Sequence, residues 1–208
     1  MPADRRSTGL AGLDAQLEGG VPAGCHVVLA EPMNATELLA AHLAAKGSLM
    51  EGGAAYLATD VDPEVVAALV ERLGGGDALA ATALDARKPT VPKVAPGARV
   101  VVDSFSTLAG SAGWDAAWAF LLKLRAAVAD AQGDLFVFAT KGLHEPREEV
   151  LLQHTCDGVF ELGFDRQGFG LYPYLQVRKL RGVPGAARLL LFKETEKGLF
   201  MESTRRVF

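Results

Sequence analysis

Strand-length apolar runs alternate with helical stretches through the first three-quarters of the chain, and this rhythm restricts its fold more than any other feature. The runs occupy residues 25–30, 54–59, 99–103 and 135–140, and the helical stretches residues 37–46, 63–73, 114–131 and 146–154. A strand, a helix and a second strand predict parallel pairing, because parallel neighbours need a crossover between them. The runs are continuously apolar rather than alternating, so helices are expected on both faces of a parallel sheet, giving a three-layer α/β fold. Past Gly158 the rhythm changes. Successive strands at 158–162, 171–180, 188–192 and 198–201, with Gly- or Pro-containing turns at 166–170 and 182–185, predict antiparallel hairpins. Gly74, Gly75 and Gly76 are expected to end the preceding helix with left-handed residues, and 89–97 to form a surface loop. With 208 residues, half of them hydrophobic, one domain spanning 1–208 suffices to bury a core.

Charge narrows the function. A formal net charge of -4, from 21 basic and 25 acidic residues, provides no global positive field for nucleic acid or an anionic membrane. From Leu171 onward, however, eight Lys/Arg face three Asp/Glu, so a local partner of the basic C-terminal part stays open. The first residues lack the apolar stretch of a signal peptide, and the most apolar helical stretch is interrupted by Lys123 and Arg125. A cytoplasmic protein without membrane spans is expected. Cys25 and Cys156 lack CxxC spacing and read as small buried hydrophobes, and the scattered His26, His42, His144 and His154 have no metal-ligand spacing. Ser104 and Ser106 lack the Gly-x-Ser-x-Gly elbow of a serine hydrolase.

In a nucleotide-binding α/β domain, a glycine-rich loop after the first buried strand leads into a helix N-terminus and cradles phosphates, aided by a Lys and a Ser/Thr. Here the run 25–30 leads into Glu31, Pro32, Met33, Asn34, Ala35, Thr36, Glu37 and Leu38, and residues 25–43 contain neither Gly nor Lys. Asn34 and Glu37 have the spacing of a capping box, so the helix entrance is expected to be filled by the protein's own groups rather than by phosphate.

Three motifs carry a family resemblance. The stretch Ser7-Thr8-Gly9-Leu10-Ala11-Gly12-Leu13-Asp14, with Leu17, Gly19, Gly20, Pro22 and Gly24, resembles the opening of KaiC-like and RadA-like members of the RecA superfamily, T-G-x-x-G-L-D-x-x-L-x-G-G-x-P-x-G. Its Leu10, Leu13 and Leu17 form an amphipathic turn able to lie against the sheet. Val100-Val101-Val102-Asp103-Ser104 is similar to the family's Walker B strand, whose carboxylate reaches Mg²⁺. Lys179-Leu180-Arg181-Gly182, followed by Phe192 and Thr195 to Leu199, is similar to the closing K-x-R-G strand and the strand after it.

The resemblance implies a RecA-like fold with a mainly parallel central sheet and antiparallel C-terminal strands. It implies that Asp103 holds Mg²⁺ if nucleotide binds, that Lys179 and Arg181 act in trans on a neighbouring subunit, and that Asp60 is the remnant of a water-activating acidic pair whose second member, Asp62, is displaced by one. The Walker A Lys and Thr are missing, their places falling on Thr36 and Glu37 or on Glu37 and Leu38. The leading expectation is therefore a catalytically degenerate KaiC-like subunit without a resident cofactor, acting in assembly or regulation as a homo-oligomer or beside an active KaiC-like or RadA-like ATPase. The alternatives are a KaiC-like ATPase that binds MgATP through an unorthodox loop, and a nucleic-acid accessory factor of recombination. For the last, the aromatics Phe164, Phe169, Tyr172 and Tyr174 beside a basic strand would stack bases, although a hairpin packing its own aromatics accounts for them as well.

Overall fold

The computed structural model of the protein describes residues 5–32, 34–168, 170–183 and 188–201. Met33 and Phe169 lie outside the described residues, as does the second half of the 182–185 turn. The strands are β1 (Arg5–Arg6), β2 (Val21–Pro22), β3 (Gly24–Ala30), β4 (Ala54–Ala58), β5 (Leu79–Ala83), β6 (Arg99–Asp103), β7 (Asp134–Thr140), β8 (Gly158–Gln167), β9 (Gly170–Leu180), β10 (Arg188–Thr195) and β11 (Gly198–Met201). The helices are α1 (Ala11–Gln16), α2 (Thr36–Ser48), α3 (Pro63–Arg72), α4 (Phe105–Ala112), α5 (Trp114–Asp130) and α6 (Pro146–Thr155).

Strands β3 to β11 form one sheet in the order β11-β10-β9-β8-β3-β7-β6-β4-β5. From β8 to β5 every neighbouring pair is parallel, and β9, β10 and β11 add on antiparallel. The continuous apolar runs are buried on both sides, as their lack of alternation requires. Along β3, Val28 and Ala30 face a layer with α1, α2 and α3, while Cys25, Val27 and Leu29 face one with α4 and α5. Strand β7 divides likewise, with Phe136 and Phe138 on one side and Leu135, Val137 and Ala139 on the other.

The opening motif has a structural explanation. Asp14 Oδ1 accepts from the Thr8 backbone N–H (2.8 Å) and hydroxyl (2.7 Å), and Asp14 Oδ2 accepts from the Ser7 hydroxyl at 2.5 Å. This folds the segment back so that Leu10, Leu13 and Leu17 are buried, as their spacing predicts. Gly20 has φ +123°, and a Cβ there would run into the Arg6 backbone, so the turn into β2 tolerates no side chain.

Besides the two-residue strands β1 and β2, two longer elements escaped the sequence reading. Strand β5 is an alanine-rich, largely exposed edge strand with little β-propensity to reveal it. Helix α4 is rich in Ser, Thr and Gly; it is capped by Ser104, whose Oγ accepts from Thr107 N–H at 3.3 Å, and it breaks from α5 at Gly113, φ +86°. Of the three consecutive glycines, Gly74 alone takes a left-handed conformation, φ +79°.

Candidate functional site

In doubly wound sheets, ligands bind outside the carboxyl ends of the strands. Here those ends bring together the loop after β3, Asp60, Asp103, and a charged group that sequence reasoning missed. The loop leaves β3 with Glu31 N–H bonded to the Leu162 carbonyl at 2.9 Å. Pro32 and Glu37 are exposed, and Asn34, Ala35, Thr36 and Leu38 are half-buried. A cleft of about 350 Å³ runs along this entrance, lined by Asn34, Thr36 and Glu37 with Arg72 and Glu194 across from them.

The expected capping box does not form. Helix α2 starts one residue later, with Ala35 at the N-cap and no side chain bonded to the first turn from that position. Both ends of the Asn34 amide are used elsewhere. Its Oδ1 accepts from Ala35 N–H at 2.9 Å, its Nδ2 donates to the Gly163 carbonyl at 3.2 Å, and its backbone carbonyl accepts from Thr36 N–H at 2.7 Å. Asn34 therefore staples the loop to the β8–β9 hairpin, while Glu37 stays in the first turn, where the helix dipole favours a carboxylate.

Asp103 ends β6 as the sequence suggests, and it is 5% exposed. Tyr56 on β4 donates its hydroxyl to Asp103 Oδ2 at 2.6 Å. Burial holds the Asp103 carboxyl above the ordinary range, the Tyr56 hydrogen bond pulls it back, and the nearby Asp60 and Glu37 push it further up. Asp60 accepts from the Ser104 hydroxyl at 3.1 Å and the Thr59 hydroxyl at 3.2 Å, so it braces the turn after β6. Asp62, the displaced acid, caps α3 by accepting from Glu64 N–H at 2.9 Å.

Glu161 on β8, 3% exposed, is the group the sequence reading passed over. Lys141, just past β7, donates to Glu161 Oε1 at 2.6 Å and reaches Glu31 at 3.5 Å. Tyr174 donates to the same Glu161 oxygen at 3.1 Å, and Arg178 to the other. Burial alone would raise the Glu161 carboxyl, but the hydrogen bonds from Lys141 and Arg178 outweigh it and leave the group below its ordinary range. The bond to Glu161 in turn raises the Lys141 ammonium. The available signal was one carboxylate inside an apolar run, which must find partners to be buried.

Lys179 and Arg181 are not part of this assembly. Strand β9 runs antiparallel to β8 and sets Lys179 opposite Val159, at the amino end of β8. There Lys179 Nζ donates to the carbonyls of Gln153 (2.9 Å), His154 (3.1 Å) and Cys156 (2.6 Å), closing the C-terminus of α6. Arg181 pairs with Asp157 at 2.7 Å, and its side chain is 63% exposed.

Residues 5–193 match the model of DUF7125, a family of unknown function. The chain belongs to the DUF7125 family. No curated protein matches it. The crystal structure of the KaiC-like protein PH0186 from the hyperthermophilic archaeon Pyrococcus horikoshii OT3 aligns with a TM-score of 0.74, covering 97% of this chain and all of that one at 17% identity. This DUF7125 chain thus has a KaiC-like, RecA-type fold, with the mainly parallel sheet and antiparallel closing strands that its motifs suggest. Among the described residues, no helix is long and apolar enough to cross a membrane, and no group of three or more His, Cys, Asp or Glu could hold a metal ion. Cys25 and Cys156 are both buried, as expected.

Proposed function

We propose that this DUF7125 chain is a catalytically degenerate KaiC-like subunit that works through assembly with its own or related chains rather than by hydrolysing ATP. The observation that carries this reading is the charge at the carboxyl ends of the strands. Glu31, Glu37, Asp60, Asp103 and Glu161 gather there, and the two cations beside Glu161, Lys141 and Arg178, are already bound to it. Arg72, the cation across the loop cleft, shares that cleft with Glu37 and Glu194.

Magnesium triphosphate does not fit this donor set. The loop from Glu31 to Leu38 has no glycine whose bare N–H groups would let phosphate approach, and no lysine to meet it. One like charge about 5 Å from a phosphoryl oxygen costs about 3 kcal/mol at an effective dielectric constant near 20, and several carboxylates converge here. Neutralising Lys141 by Glu161 also removes the cation best placed to offset that repulsion. A RecA-type domain without a working site of its own retains the edges by which such domains associate.

Calorimetric titration with MgATP, alongside a mass measurement in solution, tests the reading. No saturable heat is expected up to about 1 mM, which corresponds to a binding free energy of about 4 kcal/mol, together with a species heavier than the 21.9 kDa monomer. Micromolar binding lost in Asp103→Asn would overturn it in favour of an ATPase with an unorthodox loop.

A further inference from the structure

The amino ends of the strands carry the opposite charge. A cleft of about 670 Å³ opens there, between β1, the last turn of α2 and the turns that precede β4 and β6. Its lining includes Arg5, Arg6, Lys46, Glu51, Gly52 and Gly97. Gly52 and Gly97 pack backbone against backbone, so a side chain on Gly52 would collide with Gly97, and this crossing forms part of the cleft wall.

The three cations differ in how far they are used. Arg6 is committed, donating to the carbonyls of Gly97 at 3.1 Å and Gln132 at 2.5 Å. Arg5 is not. Its Nη1 is buried and has no hydrogen-bond partner among the described residues, an expensive state for a cationic donor unless an acceptor arrives. Lys46 lies half-buried in the last turn of α2, where its charge complements the helix C-terminus. Neither Arg5 nor Lys46 forms an ion pair among the described residues, and Glu51, the carboxylate lining the same cleft, bridges to neither. The lining thus carries an excess of positive charge suited to a phosphoryl group, which bears about two negative charges near neutral pH. The cleft also falls within the range of about 300–1,000 Å³ typical of small-molecule sites.

We propose that this cleft binds a phosphorylated small molecule, with the Arg5 guanidinium and the Lys46 ammonium holding its phosphoryl group. A guanidinium offers paired donors that match phosphoryl oxygens, and an ammonium adds a compact point charge. This site lies at the other end of the sheet from Asp103 and Glu161, so it stands or falls independently of the carboxyl-end reading.

Calorimetric titration of the full chain with inorganic pyrophosphate at low salt tests it. Saturable binding is expected, weakened about tenfold in each of Arg5→Gln and Lys46→Gln, which is the effect of losing one charge-assisted hydrogen bond. Glu51→Gln is expected to tighten binding severalfold, a gain that misfolding does not produce, and Asp103→Asn is expected to leave it unchanged. The absence of saturable binding overturns the proposal, as does affinity in either Arg5→Gln or Lys46→Gln equal to that of the unaltered chain, or weaker binding in Glu51→Gln. Sensitivity to Asp103→Asn would place the ligand at the wrong end of the sheet. Tighter binding of a single-stranded oligonucleotide than of pyrophosphate, lost in the same variants, would overturn the small-molecule assignment in favour of nucleic acid.

Discussion

Replacing Lys179 by alanine separates a structural from a trans-acting role for the K-x-R-G strand. Helix α6 ends at Thr155, and its last carbonyls have no partner within the helix. The Lys179 ammonium bonds three carbonyls around that end, at 2.6, 2.9 and 3.1 Å. Gln153 is half-buried and His154 exposed, so water takes over much of those two contacts when the ammonium is removed. Cys156 is buried, and its carbonyl loses a charge-assisted partner at a cost of about 1–3 kcal/mol. Loss of the favourable charge at the helix C-terminus adds about 0.3–1 kcal/mol. Lys179→Ala should therefore destabilise the protein by about 1.3–4 kcal/mol, which for a chain of this length lowers Tm by roughly 3–16 °C. Arg181→Ala serves as the control, because its exposed pair with Asp157 is worth less than about 1 kcal/mol. Thermal denaturation followed by circular dichroism reads both. A Tm for Lys179→Ala within about 1 °C of the parent, well below the shift expected for the lost cap, would refute the capping argument and free Lys179 for a neighbouring subunit.

Two further outcomes follow from His26. It is fully buried, its Nε2 meets the Pro22 carbonyl at 2.9 Å, and burial lowers its pKa from the usual 6.5. The unfolded chain then takes up the proton first, so stability holds above about pH 6.5 and falls as pH drops below that toward the lowered folded value. His42, lowered by burial, acts in the same direction. Asp103, raised by burial, acts in the opposite one, because the folded state holds its proton more tightly and gains stability as pH falls. Urea midpoints measured in an Asp103→Asn background should therefore decline from pH 7.5 to 5.5, and a constant or rising midpoint would contradict the burial argument. Gly158→Ala places a Cβ against His26 Nδ1 and 3.1 Å from Leu180 Cδ1, and overpacking of this kind costs about 1–3 kcal/mol. An unchanged Tm in that variant would show that β8 and the His26 ring can move apart.

The parts of the fold that could be read from the sequence are those set by local periodicity. The runs at β3, β6 and β7 place apolar residues on both faces rather than alternating because both faces are covered, and that pattern needs no knowledge of the partner strands. Strand β5 and helix α4 lacked such a pattern, the first because an exposed edge strand of alanines buries little, the second because its Ser, Thr and Gly residues also suit turns. The Asn34–Glu37 spacing satisfied a capping rule, yet spacing cannot show that the Asn34 amide is taken by Ala35 and Gly163. Asp103 was found because its position at a strand end is local. The Glu161 group was not, because Glu31 after β3, Lys141 after β7, and Tyr174 and Arg178 on β9 come from three segments separate from β8 and meet Glu161 only once the sheet is assembled.

The two ends of the sheet differ for one geometric cause. A parallel sheet aligns its strands, so residues just before and just after each run collect at opposite ends, and the charges there report two different histories of pairing. At the carboxyl ends the cations beside Glu161 are bound by carboxylates and the remaining charge is acidic, so a polyanion gains no unsatisfied partner by entering. At the amino ends, Arg99 and Asp134 neutralise each other at 2.6 Å with both side chains fully buried, and Arg6 sits 3.8 Å from the same carboxylate. Asp134 is thus already engaged and cannot serve as counter-ion to Arg5. The buried Arg5 donor has no acceptor left to it within the described structure, which is why an anion arriving from outside is expected at this end rather than at the carboxyl ends, where doubly wound sheets ordinarily bind ligands.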